Sequence, residues 1–410
     1  MKIKFTLICV SMCVGMLLFA ETLTLEECID IARSNNPSVQ QAELNAEIGK
    51  SKVRQSYSAV MPNVSVSTGL SSAHTSATGW NPSSSYGVSA GMTFYAPGMY
   101  SGIKSAQLNT QANRLNSVSN ENDIVSQIST LYYRILSTKR MIEVYKGNIE
   151  VAEENLKKTR SMYEQHVITE SDVLKSEAQK GDFESQLLNQ KQLYTSYLRT
   201  MNVLLGRNAR EDINVVDIDV DHIDIPTYED ARDMMLSDNP QYGSAVLQEK
   251  IGKVLLNSSK EAFLPSVSGS YSHSGSYDPA VSASNNVGVT ASWTLFNGLS
   301  RRENMQQSKL QVKQAKINVD NTLRILEQQL SDLYTQFETY TAMIDINERR
   351  LESARRDFEI VNQQYELGKN TILERMQSQL AVLSAESSLV EAKYSRKMVE
   401  SEILKLINKI

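Results

Sequence analysis

Asp217, Asp219, Asp221 and Asp224 alternate with Ile218, Val220 and Ile223, a density of carboxylates that could hold calcium. A calcium loop of the EF-hand kind needs a glycine for its sharp turn and a closing glutamate for bidentate ligation, and this run has neither. It reads as a solvated edge strand or connector. The four histidines, His74, His166, His222 and His273, are too widely separated for zinc spacing. There is no nucleophile elbow and no glycine loop that would cradle a phosphate. The residue types thus point away from an enzyme, and no metal or cofactor is expected.

The elements must then carry the function. The chain has 410 residues and a net charge of −5 with acids and bases mixed throughout, so no basic stripe invites nucleic acid. Residues 1–20 read as a secretory signal, with Lys2 and Lys4 ahead of an apolar run from Phe5 to Phe19 and Ala20 before Glu21. Leu18 departs from the small-residue rule, so the cut falls within a residue or two of Ala20; an uncleaved anchor is the alternative, although the run is short for a span. Cys9 and Cys13 lie inside it without a lipoprotein context, which leaves Cys28 alone in the mature chain and no internal disulfide. No later stretch approaches about 18 consecutive apolar residues, so a membrane crossing must use strands.

Alternate steps of three and four from Val319 reach Leu323, Leu326, Leu330, Leu333, Phe337, Tyr340, Ile344, Asn347, Leu351, Ala354, Phe358, Val361 and Tyr365, and only Asn347 is polar. A 3.5-residue repeat sustained this long predicts a coiled-coil helix with its seam turned to one partner. The same seam runs from Ile124 through Ile128, Leu131, Ile135, Thr138, Ile142, Tyr145, Ile149, Ala152, Leu156 and Thr159 to Tyr163, 202 residues earlier. Punctuation repeats with it: Asn36-Pro37 with Asn239-Pro240, Pro62 with Pro265, Pro97-Gly98 with Asn297-Gly298. Duplication over nearly the whole chain follows. The first repeat, 21–226, comprises short helices, a β-hairpin at 64–96, a long helical hairpin at 99–206 and an irregular connector; the second, 227–410, has its hairpin at 267–296 and its long helical hairpin at 299–407.

Each β-hairpin alternates apolar residues with Ser, Thr, Gly and Asn, one apolar and one polar face, in strands of about ten residues. A soluble antiparallel domain is the plainer reading. If the strands enter a membrane, four cannot close a barrel, which needs at least eight, and open edges are not tolerated in hydrocarbon. Other copies must then complete it. Phe94, Tyr95, Trp293 and Phe296 sit at the helix-proximal strand ends, where an interfacial belt belongs.

Leu23 through Ala32, Asn36-Pro37, Leu204-Leu205-Gly206, Leu295 through Gly298 and the duplicated order of elements together resemble the TolC-like outer-membrane efflux protein family over about residues 22–408. The resemblance implies a mostly α fold with a β-barrel part: a homotrimer with a twelve-strand outer-membrane barrel continuous with a periplasmic α-helical tunnel. It implies an exit duct for efflux or type I secretion, docked through a periplasmic adaptor to an inner-membrane pump. A periplasmic adaptor or coiled-coil scaffold is the alternative, although adaptors present one helical hairpin where this chain has two.

By the same resemblance, the turns between long and return helices form the tunnel tip. Tyr365 and Asp172 match positions that hold neighbouring coils together, and Glu374 matches one projecting into the constriction. Three copies of Glu374 facing one axis would favour cations and raise the carboxylate pKa; a solvated carboxylate at a helix start is the alternative. Asn370 stands where some relatives carry an arginine, and Gln377 where a second acid can occur, so the latch is expected to be wired differently. Gln165, His166, Val167, Gly368 and Lys369 would form the adaptor-contact tip, His166 in place of the usual glycine because histidine tolerates a left-handed conformation.

Overall fold

Both seams become single helices in the computed structural model, which describes residues 21–76, 79–222, 224–278 and 281–410. The expected signal at 1–20 lies outside the described residues. The long helices are α3 (Met99–Glu164) and α7 (Ser300–Glu366), of 66 and 67 residues, roughly 100 Å each at 1.5 Å per residue. Their return helices are α4 (Glu170–Leu204) and α8 (Ile372–Leu406). Every α7 seam position is buried or half-buried. Its one polar member, Asn347, donates to the Ser388 carbonyl of α8 at 3.4 Å. The first seam departs from expectation at its end. Burial passes from Thr159 to half-buried Met162, leaving Tyr163 41% exposed, whereas its counterpart Tyr365 is 5% exposed.

Four shorter helices complete the α part: α1 (Leu25–Asn35), α2 (Pro37–Ser56), α5 (Tyr228–Asp238) and α6 (Pro240–Glu261). The packing gives two tiers that share the long helices. In the lower tier α3 packs on α4 and α8, and α8 on α7; in the upper, α2 packs on α3, α3 on α6 and α6 on α7.

The two tiers are joined by the repeated Asn-Pro pairs. Asn36 accepts a hydrogen bond from the Ser38 N–H at the start of α2 and donates to the Leu204 carbonyl at the end of α4, at 2.8 and 2.7 Å. Asn239 does the same for α6 and α8, accepting from Tyr242 at 3.0 Å and donating to Leu406 at 2.9 Å. Helix ends leave unpaired N–H and C=O groups, and one amide side chain here satisfies one of each. The following proline adds no unpaired N–H and has the right φ for a first helical position. Asn36→Ala or Asn239→Ala is expected to cost about 1–3 kcal/mol apiece, because a buried carbonyl loses its donor. Chemical denaturation of each variant checks this.

The strands form one four-stranded antiparallel sheet of order β2 (Asn63–Thr75), β3 (Gly79–Tyr95), β5 (Ser266–Asp278) and β6 (Ser282–Ser292). The first three run well past the expected length. β3 reaches back through Trp80, Asn81 and Pro82, read from sequence as loop, because β2 continues opposite them. β6 stops at Ser292, so Trp293 and Phe296 lie in the segment leading to α7.

The connector is less irregular than its sequence implies. β4 (Ile213–Val215) pairs in parallel with β1 (Glu21–Leu23), and Tyr132 of α3 donates to the Val216 carbonyl at 2.6 Å. Leu23, Cys28, Ile213 and Val215 close over Ile128, Tyr132, Ile135 and Met201 in the main core. The aspartate run beyond it is a strap on α8. Arg396 donates to the Val220 carbonyl at 2.8 Å, Lys393 pairs with Asp221 at 3.2 Å, and Glu400 accepts from the Asp224 N–H at 3.2 Å. Among the described residues no group of acids, histidines or cysteines is arranged to hold a metal.

Candidate functional site

The sheet sorts most of its residues by face, the hydrogen-bonded His273–Asn285 pair being a polar exception on the apolar side. Cross-strand partners share a face, and the register aligns Val66 with Val88, Val64 with Ala90, Ala90 with Tyr271 and Tyr271 with Val287. On the other face stand Ser65, Ser67, Ser89, Ser268, Ser270, Ser272, Ser274 and Ser276, with hydroxyl pairs Ser65–Ser89 at 2.7 Å and Ser71–Ser83 at 2.8 Å. Apart from Asp278, residues 63–95 and 266–296 contain no charge. Val66 and Val287 are nonetheless 77% and 82% exposed. The sheet is thus largely apolar on one exposed face, hydroxylated on the other, and open at its β2 and β6 edges.

Aromatic residues mark both ends of the apolar face. Near the helices, Phe94 is the extra residue at a β-bulge and its ring lies over Gly269, where an added Cβ would come within 2.8 Å. Tyr95 ends β3, Trp293 donates to the Phe263 carbonyl at 3.0 Å, and Phe296 is exposed. A second aromatic group, missed in the sequence, lies toward the loops. Trp80 stands edge-on to His74 at 5.2 Å, and Tyr86 lies 4.9 Å from Tyr277. Alternation along β3 puts Trp80 and Tyr86 on the Val88 face, the signal that could have found them.

At the opposite end of the long helices the two tip turns lie side by side. Each ends its long helix in a Schellman motif. The Val167 N–H bonds the Met162 carbonyl and the Lys369 N–H that of Gln364, both at 2.9 Å. His166 and Gly368 occupy the left-handed positions, with φ of 60° and 70°. Between the turns lies a hollow of about 280 Å³ lined by Asp172, Tyr365, Asn370, Val167 and Gly368, together with Met162, Ile168 and Ile372. Five of the residues singled out from sequence therefore meet. Gln165, His166 and Lys369 stay on the exposed rim, and Glu374 lies outside the hollow.

Both acids close capping boxes on their own return helices. Glu374 accepts from the Thr371 N–H at 2.7 Å and from its hydroxyl at 3.0 Å, which hold the carboxyl below its ordinary pKa. For Asp172, partial burial pushes the pKa up, but the Thr169 hydroxyl and N–H with Lys175 outweigh it, and the net shift is downward. The upward shift expected for Glu374 needs three copies about one axis; within the protomer the direction is down. A depressed folded pKa gives stability that is complete above the ordinary carboxylate value of about 4.3 and is lost as pH falls through the folded value. Hydrogen exchange in the first turn of α8 is expected to accelerate across that acidic window and to show no such step in Glu374→Gln, which keeps the box without the titration.

Two further tip contacts were not foreseen. Lys158 of α3 bridges to Glu366 of α7 at 2.9 Å, tying the two helical hairpins together, although so exposed a pair contributes about 0–1 kcal/mol. Arg375, one turn into α8, is 4% exposed with no carboxylate in contact. Its guanidinium lies 5.5 Å from the Phe358 ring centre and 5.8 Å from that of Tyr365, and its Nε donates to Asn362 at 2.6 Å.

A family model described as outer membrane efflux protein matches residues 28–207 and 232–409. The toluene efflux pump outer membrane protein TtgC of Pseudomonas putida is 21% identical over 404 residues, covering 93% of this chain and 82% of that protein. Among solved structures, the CmeC outer membrane channel of Campylobacter jejuni superposes with a TM-score of 0.84 at 17% identity, covering 94% of this chain and 85% of that one. The outer membrane protein VceC of Vibrio cholerae gives 0.81 at 15%, covering 93% and 95%.

Proposed function

This chain belongs to the outer membrane efflux protein family, and from that premise we propose that it is the exit duct of a tripartite efflux pump, assembled as a homotrimer. It resides in the outer membrane and extends into the periplasm. The observation that carries the trimeric duct is the four-stranded sheet, apolar on one face and hydroxylated on the other, with β2 and β6 as open edges. Three copies supply twelve strands, enough to close a barrel with the valine face to lipid and the serine face to water. The helical tiers, each four helices wide per copy, continue that wall as a twelve-helix tunnel. Exposed Leu174 and Leu188 on α4, and Ile346 and Ile360 on α7, supply the apolar flanks on which neighbouring copies pack.

Passage through such a duct is passive. The neutral hydroxyl wall offers no charge by which to select, and the constriction lies at the tip, where Tyr365, Asp172 and Asn370 line the hollow between the turns and Glu374 faces the entrance. The exposed rim of Gln165, His166, Val167, Gly368 and Lys369 receives the periplasmic adaptor that links the duct to an inner-membrane pump. Reconstituting the purified protein into planar bilayers tests this reading. A heat-modifiable trimer with discrete conductance is expected; a water-soluble monomer that never enters lipid overturns it.

A further inference from the structure

The membrane-proximal halves of the helices differ in charge from the rest of the chain. Residues 37–62, 99–125, 240–263 and 299–325 carry fourteen lysines and arginines against eight acids, a surplus of six positive charges in a chain whose net charge is −5. Of these fourteen, only Lys253 makes an ion pair among the described residues, with Glu249 at 2.7 Å. Bases elsewhere are commonly paired, as in Arg355–Glu386 and Lys393–Glu348.

Six of the unpaired bases gather where the helices meet the sheet: Lys52 and Arg54 near the end of α2, Lys104 near the start of α3, Lys260 at the end of α6, and Arg301 and Arg302 at the start of α7. Glu261, at the same level, does not neutralise them. Its carboxylate is turned inward, accepting from the Gly98 N–H at 3.0 Å and the Ser101 hydroxyl at 3.1 Å. Arg301 is fixed against the Thr294 carbonyl, in the segment that also presents Trp293, Leu295 and Phe296. Leu295 and Phe296 are 79% and 76% exposed; Leu264, just before β5, and Met61, just before β2, are exposed at the same end of the sheet.

We propose that this collar binds the anionic headgroups of phospholipids in the periplasmic leaflet of the outer membrane. The inference rests on the reading that the sheet spans that membrane. Long basic side chains reach from a helix end into the headgroup layer while adjacent aromatic and aliphatic residues enter the acyl boundary. Exposed apolar residues beside the bases favour lipid over the water-filled lumen as the partner, since in the lumen Leu295 and Phe296 would face water. Each base at an anionic surface contributes about 1 kcal/mol, roughly fivefold in affinity.

The test compares the full-length protein in nanodiscs of phosphatidylcholine with and without phosphatidylglycerol, counting lipids retained by native mass spectrometry. Phosphatidylglycerol is expected to be enriched at low salt and released at high salt. Arg54→Gln, Lys260→Gln, Arg301→Gln and Arg302→Gln combined should lower retention at least tenfold while leaving insertion and conductance intact. Equal retention of both lipids by wild type, with normal insertion, overturns the collar and leaves the duct standing. Unchanged retention in the variant, with altered ion selectivity of conductance, places the bases in the lumen and equally overturns it. Failure of the wild type to insert at all removes the spanning sheet and the collar with it. If the fourfold variant does not fold, the Arg301→Gln, Arg302→Gln pair and the wild-type salt dependence decide the matter.

Discussion

Arginine in place of Val66 is expected to stop the protein from inserting into a bilayer, while arginine in place of the adjacent Ser67 leaves insertion intact. The two residues neighbour one another on β2 and are exposed alike in the protomer; only the face differs. Val66 lies opposite Val88, roughly midway between the Trp80 and Phe94 aromatic groups of β3. A lipid-facing arginine near the midplane costs about 2–4 kcal/mol per strand, and three copies bring the total close to the whole stability of an ordinary domain, about 5–15 kcal/mol. Ser67→Arg instead projects into water and places three cations around the lumen, shifting conductance toward anions. Folding into liposomes followed by urea titration, with single-channel selectivity for the variant that inserts, checks both outcomes. Equal insertion of the two variants would mean that the sheet does not lie in lipid with its valine face outward.

Much of this architecture was legible because it is periodic. A seam from Val319 to Tyr365 constrains every third or fourth residue of α7, and the helix buries those positions against α6 and α5 in the upper tier and α8 in the lower. Alternation in 64–70 and 86–94 likewise placed the two faces of the sheet, since a strand reverses side at every residue. Legibility failed where a contact comes from far along the chain. Nothing in Ile213-Asn214-Val215 announces that its ladder partner is Glu21–Leu23, so the segment read as connector. Trp80 was passed over because the Ser, Thr, Gly and Asn residues around it read as a loop, yet β2 still runs opposite. The seam assigned Tyr163 the same place as Tyr365, but each tip packs against a different neighbour, and Met162 took the inward position. At the tip the acids were visible, while the roles of their capping threonines emerged only with the geometry. Arg375 was invisible altogether. A charged residue between Glu374 and Met376 predicts solvent, and its burial is decided by Phe358, Asn362 and Tyr365 arriving from α7.

Arg375 should therefore show opposite effects with two substitutions. A buried cation with no contacting carboxylate carries a desolvation penalty, and burial indeed lowers its pKa. What offsets the penalty is two aromatic faces and the Asn362 side chain, while Nη1 remains without a partner. Methionine fills nearly the same space, keeps contact with both rings and removes the charge, so Arg375→Met is expected to leave thermal stability unchanged or raised. Alanine empties the site between Phe358 and Tyr365, and Arg375→Ala is expected to cost about 2–4 kcal/mol, as large-to-small changes in packed sites do. The loss falls where α7 and α8 meet at the tip, beside the hollow lined by Tyr365 and Asp172. If the tip closes the duct, releasing even about 2 kcal/mol there shifts an open–closed equilibrium roughly thirtyfold. Open probability in planar bilayers should then rise sharply in Arg375→Ala and stay near wild type in Arg375→Met. A rise in both variants would show that the charge itself, and not the packing around it, holds the tip shut, whereas no rise in either would separate this cluster from closure.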